Sequence, residues 1–264
     1  TIGTDPKVVE VQTTPLTVRE IILHMPRFKN DLFAAASQVG VFPDNRFGGG
    51  HIHMGFESSV GNNVLLMRNL IVDFANHPEL SIGILDNDYF NAPPIAKLPS
   101  QYQEAFKRII ADVDRRKIRS VKVLAHRINQ EVYSWNGNRH YLAEKFHALN
   151  LMRIVDRFWD LSERTFEFRS IRAQNFPEEF LILTRLFAGR IAHLKRVTKP
   201  IPIQFPNLKL FNEKAQMEAF VNFLGEAGLS LSEFADDYHL PLKYKILPFL
   251  LRKHPVTVYC QGVF

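Results

Sequence analysis

The chain has 264 residues, 46% hydrophobic and 23% charged, proportions close to globular averages that support a sizeable core and argue against disorder. Its formal net charge of +6 suits anionic partners such as nucleotides, nucleic acid or acidic peptides without selecting among them. No lysine–arginine run marks a nucleic-acid-binding tail, and no specific nucleic-acid contact is expected. The single cysteine, Cys260, excludes an internal disulfide and a cysteine-rich zinc site and fits a reducing compartment, which we expect to be the cytoplasm. No apolar run reaches the roughly 18–20 residues that a membrane span needs, and no signal peptide is read.

The sequence starts at Thr1 and reads as a trimmed chain. A terminal threonine can act as a nucleophile through its own amine, but no neighbouring residue supports that chemistry. Val8 to Val11 reads as a strand with β-branched residues around Glu10, ended by Thr13, Thr14 and Pro15. A carboxylate among core valines faces either a cleft or a solvated edge. Residues 17 to 39 have helical spacing, interrupted at Pro26.

Phe47 to Phe56 combines three consecutive glycines with a His-x-His pair. In a strand, His51, His53 and Gly55 share one face, and Ile52, Met54 and Phe56 share the other. The apolar face is a core face, which turns the histidines toward a cleft. Imidazole binds metals and changes charge near neutral pH, while glycine permits close backbone approach. The plain alternative is a glycine-rich turn feeding a strand with two exposed histidines.

Residues 62 to 76 form an amphipathic helix with Pro78 just beyond it. Asp86 and Asp88, in the loop running to Pro94, serve either a metal or, more simply, a turn. A helix is expected over 102–114, a short strand over 121–124, and a strand or hairpin over 130–139 with Gly137 at its turn. Arg164 to Arg169 alternates strictly, putting Thr165, Glu167 and Arg169 on one face and Phe166 and Phe168 on the other. This is either a surface strand with an exposed ion pair, which contributes little, or a carboxylate beside a guanidinium facing a cleft. The second arrangement suits a metal–phosphate site. A long helix follows over 178–196, then a proline-rich connector over 199–206, then helices over 213–226 and 241–253. Ser232 is the expected cap of a short helix between those two.

Taken in order, the Glu10 strand, the Gly-x-His-x-His strand and the Phe-Glu-Phe-Arg strand before a long helix resemble the amidoligase branch of the glutamine synthetase-like carboxylate–amine ligases. Asp5 to Pro15 and Ala148 to Asn150 are similar to the acidic strand and the Leu-Asn segment of that branch, so the resemblance covers roughly residues 1–196. It implies an α+β fold: a mostly antiparallel sheet with helices on one face and its open face forming a cleft. Residues 1–198 would be the catalytic domain and 199–264 a helical C-terminal appendage. The resemblance also implies ATP and Mg²⁺ or Mn²⁺ as cofactors, with Glu10, His51 and Glu167 as metal ligands. His53 would sit near the phosphates or the transferred phosphoryl group, and Arg169 on phosphate. Such ligases activate a carboxylate as an acyl phosphate that an amine then displaces, which demands hard cations and a guanidinium around phosphate oxygens.

One departure stands out. The family opens with a Glu-x-Glu strand, and no such pair precedes Glu10; Glu57 and Asp88 are the acids available as substitutes. The strand is therefore missing, supplied by a partner chain, or lost in a non-catalytic binding module. A hydrolase or oxygenase using His51, His53 and one carboxylate on zinc or iron is the other alternative.

Overall fold

A computed structural model of the chain describes residues 2–5, 8–43, 49–81, 92–134, 147–155 and 163–238. The fold is α+β, with strands paired antiparallel throughout these residues. Strands β1 (Ile2–Asp5) and β2 (Val8–Val11) make a two-stranded ribbon. β1 escapes sequence reading because four residues with a central glycine carry no alternation.

Helix α1 (Val18–Arg27) starts on a capping box in which Thr17 and Glu20 satisfy each other's backbone N–H groups. The chain continues helically through Pro26, contrary to the expected interruption. Wider turns follow over Phe28–Ala34 before α2 (Ala35–Gln38).

Strand β3 (Gly49–Gly55) leads into α3 (Phe56–Ser59) and α4 (Val64–Asn76), the latter capped by Asn63. After α5 (Ser100–Asp114) comes α6 (Val121–Arg127), where a strand was expected. Val121, Leu124, Ala125 and Ile128 are buried at helical spacing while Val123 is exposed, so the 3.6-residue period wins over a four-residue alternation. Ile128–Val132 extends that helix in wide turns, which overturns the strand reading for its first residues. Asp86, Asp88, Gly137 and the helix expected over 241–253 lie outside the described residues.

Strand β4 (Leu149–Asn150), helix α7 (Met152–Val155) and strand β5 (Thr165–Arg172) complete the second sheet, ordered β3–β5–β4. Its apolar face carries Ile52, Phe166, Phe168 and Leu149, all buried. Phe168 stacks on Phe187 of α8 (Pro177–Arg196) at 4.0 Å and on Phe74 of α4 at 4.7 Å. Helices α4 and α8 thereby fix one side of β5.

The connector after α8 is clamped along α4. The Asn69 amide donates to the Lys199 carbonyl and accepts from the Ile201 N–H, and Asn76 does the same for Pro202 and Gln204, at 2.7–3.0 Å. These two asparagines are two helical turns apart and match an extended backbone whose prolines lack donors. Beyond it, α9 (Glu213–Glu226) and α10 (Leu231–Tyr238) bury Phe220, Phe223, Phe234 and Tyr238 in the same hydrophobic cluster as α4 and α8. Ser230, not Ser232, caps α10: its hydroxyl accepts from the Glu233 N–H at 3.1 Å. No helix among the described residues is long and apolar enough to cross a membrane.

Two histidines couple this packing to pH in opposite directions. His77, just after α4, donates to Glu79 at 2.6 Å and lies 3.8 Å from Asp73. Burial opposes its protonation. The Glu79 hydrogen bond and the Glu79 and Asp73 charges outweigh both burial and Arg190, so its pKa stands above the ordinary 6.5. His147 is buried against the Tyr133 ring, 4.1 Å between centroids. Burial, partly offset by its hydrogen bond to the Tyr133 carbonyl, pushes it down to about 4.

The folded state holds the His77 proton more tightly than the unfolded chain. That stabilisation is complete below pH 6.5 and is lost as pH rises through the raised pKa. For His147 the unfolded chain takes the proton first. Stability is therefore complete above pH 6.5 and is lost as pH falls toward about 4. Urea midpoints measured across this range should peak near the ordinary histidine pKa, and His77→Gln should flatten the alkaline limb. An unchanged alkaline limb in that variant would remove His77 as its cause.

Candidate functional site

The polar face of the β3–β5–β4 sheet collects its charge around one carboxylate. β5 is the central strand, and Glu167 lies opposite His53 on one side and Asn150 on the other. Directly opposed residues share a face, so a single row Asn150–Glu167–His53 crosses the sheet above the buried row Leu149–Phe168–Ile52. Between Gly50 and Ile52 the register shifts by one residue, because β5 carries Arg169 and Ser170 where β3 carries only His51. Such bulges re-aim side chains and gather at the working ends of sheets.

The glycines before the histidines have a structural task. A Cβ at Gly50 would lie 2.1 Å from Gln174 Nε2 and 2.6 Å from the Arg172 carbonyl oxygen. β3 therefore reaches the end of β5 only because position 50 has no side chain.

Around Glu167 the geometry is dense. Arg169 Nη1 donates to its Oε1 at 2.8 Å, and Asn150 Nδ2 donates to its Oε2 at 2.8 Å. His51 Nδ1 and His53 Nε2 lie 3.2 and 3.8 Å from Oε1. Asn150 is itself fixed, its Oδ1 accepting from the Met152 N–H at 3.0 Å, and His53 Nδ1 is hydrogen-bonded to the Thr165 hydroxyl at 3.1 Å. The side chains of His51 and His53 are 28% and 36% exposed, those of Arg169 and Glu167 only 10% and 7%. The imidazoles stand at the rim and the carboxylate at the floor. Burial alone would raise the Glu167 pKa, but the Arg169 guanidinium, then His51 and His53, then the Asn150 amide hold it below the usual carboxylate value. The floor is an ionised, oriented carboxylate.

Four of the five residues expected at the site are thus His51, His53, Glu167 and Arg169, brought together by strand pairing. Glu10 lies on β2, opposite Gly3, in the separate ribbon with β1; strand pairing does not join it to the others. Asn150 and Thr165 are the additions. Asn150 had no role in the sequence reading beyond its Leu-Asn segment, because its partner is set by register across β5.

Among the described residues, no three His, Cys, Asp or Glu side chains form a set that could hold one metal ion. The donor pair Glu167–His51 still fits part of a cation site. Two neighbouring ligands on a cation with bonds of about 2.1 Å are about 3 Å apart, and the observed separation is 3.2 Å. Mg²⁺ is commonly held by one or two carboxylates, with phosphate oxygens and water completing its shell. The chain matches no family model, no curated protein and no solved structure.

Proposed function

We propose that the chain is an ATP- and divalent-cation-dependent carboxylate–amine ligase on a glutamine synthetase-like catalytic fold, acting in the cytoplasm. Its product is an amide, made through an acyl phosphate from a small-molecule or peptide carboxylate and amine. One observation carries the reading. The Gly-x-His-x-His and Glu-x-Arg strands, far apart in sequence, are hydrogen-bonded neighbours whose polar residues converge on Glu167. That convergence supports the resemblance, in which both motifs line one funnel for a nucleotide and divalent cations.

Glu167 and His51 would hold Mg²⁺ or Mn²⁺, which when bound neutralises phosphate oxygens. His53, hydrogen-bonded through Nδ1 to Thr165, turns Nε2 toward the same oxygen and is placed to steady the transferred phosphoryl group. Arg169 has a planar fork that suits phosphate oxygens as well as a carboxylate. Its present bond to Glu167 orients it beside the incoming phosphate. A buried, low-dielectric floor strengthens each of these contacts.

A second reading rests on Glu10, whose strand belongs to another ribbon. In it the chain binds Mg²⁺–nucleotide without turnover and serves as a binding module, its acidic strand supplied by a partner chain. Steady-state ADP release separates the two. The ligase releases ADP only when a divalent cation, an acid and an amine are all present, and His51→Ala lowers that rate at least about 10-fold. Calorimetric binding of Mg²⁺–ATP analogue without release identifies the module. Stoichiometric tight zinc or iron in the purified protein, with neither behaviour, would replace both readings by a histidine–carboxylate metalloenzyme.

A further inference from the structure

Among the described residues, α5, the turn after it and α6 carry an excess of positive charge that shares no residue with the Glu167 site. Residues 104 to 131 hold eight lysines and arginines against four acids, so a stretch of 28 residues carries most of the net +6. All four acids are engaged by bases: exposed Glu104 receives Lys107 at 2.8 Å, and Asp112, which lines the groove that these bases border, lies 3.5 Å from Lys117. Asp114 is gripped by the buried Arg68 through two 3.0 Å hydrogen bonds. Asp112 and Glu131 both receive Arg127, at 2.8 and 2.6 Å. Exposed around them are Lys107, Arg108, Arg115, Arg116, Lys117, Arg119 and Lys122.

These bases border an open groove of about 350 Å³ lined by Lys107, Arg108, Ala111, Asp112, Arg115 and Arg127. Just past the end of α5, Arg116 holds a φ of 59°. Glycine or asparagine normally takes that left-handed position, because a side chain there costs about 1–2 kcal/mol. Arginine stands there nonetheless.

We infer that this groove is a binding surface for the phosphate backbone of duplex nucleic acid, engaged without regard to base sequence. Arginine forks match phosphate oxygens bidentately, and four of the exposed or lining bases nearest the turn are arginines: 108, 115, 116 and 127. The lining residues include no aromatic side chain for stacking an unpaired base and no apolar pocket for a peptide anchor. From Lys107 to Arg115 the helix rises about 12 Å, along which a duplex presents about seven phosphate charges. The inference stands apart from the ligase reading, since the groove shares no residue with the Glu167 site.

The test is fluorescence anisotropy of a labelled 20-base-pair duplex with the full chain at 50–200 mM salt. Affinity should fall linearly with salt on logarithmic axes. The pair Arg108→Glu and Arg115→Glu should weaken binding at least about tenfold and reduce the slope by about two. The charge-matched pair Lys209→Glu and Lys214→Glu, on other exposed side chains, should leave affinity within about twofold. Undetectable binding at 50 mM salt would overturn the proposal, as would equal losses in both pairs. Displacement of the duplex by polyglutamate at equal charge concentration would also overturn it, marking the groove as a site for acidic polypeptide.

Discussion

Glu167→Gln should lower cation-dependent ADP release by at least about 100-fold while leaving the fold intact. The substitution keeps the side chain's shape, so the packed row Asn150–Glu167–His53 survives sterically. What it removes is charge at the floor. Glu167 is held ionised, against its burial, by Arg169, His51, His53 and Asn150, and each of those groups points a donor or a positive field at it. A neutral amide cannot balance a guanidinium at 2.8 Å or serve as an anionic cation ligand. Deleting one electrostatic contact at a reacting centre typically costs about 100- to 1,000-fold. Circular dichroism and the unfolding midpoint check the fold, ADP release checks the activity, and calorimetry with Mg²⁺–nucleotide separates lost binding from lost chemistry. A variant that folds and turns over at the original rate would leave the ligase proposal without its central residue.

The parts of this site that follow strand alternation were legible from residues alone. His51 and His53 share a face because the period of a strand is two, and Glu167 and Arg169 do so for the same reason. The apolar partners Ile52, Phe166 and Phe168 are correspondingly buried. Alternation does not say which strand lies beside which, so Asn150 emerged only with the register across β5. The bulge at Arg169 and Ser170 likewise has no local signature.

Alternation also misled over 121–124, where Lys122 and Val123 sit between apolar residues in a pattern that a strand and a helix share over four positions. Burial through Ile128 decides for the helix. Glycine before His51 signals a close backbone approach, and at Gly50 the neighbours that make it are Gln174 and the Arg172 carbonyl, a partner that the sequence does not name. The proline-rich connector reads as a boundary by composition. In the fold it is a strap, because Asn69 and Asn76, more than 120 residues earlier, present amides at the right spacing to bind it.

The largest loss of stability is expected from Arg190→Met. Arg190 lies almost fully buried between three helices. From α8 it reaches Asp73 on α4 with two nitrogens, Nε at 2.7 Å, and Glu226 on α9 with a third. Its guanidinium stands 4.2 Å over the Phe223 ring of α9. Methionine fills similar volume, so the cost arises from charge: Asp73 is left buried without its bidentate partner. Breaking a buried ion pair from one side costs about 3–5 kcal/mol, which for a chain of this size lowers the melting temperature on the order of 10 °C.

Replacing both partners removes the uncompensated charge. Arg190→Met combined with Asp73→Leu should therefore recover part of the loss, and failure to do so would assign the cost to the Phe223 contact instead. A second readout is independent of melting. Arg190 lowers the pKa of His77, so in the single variant that histidine should titrate higher and the alkaline limb of stability should move up in pH. An unmoved His77 titration in a folded Arg190→Met protein would show that the charges around Phe223 do not act as one coupled group.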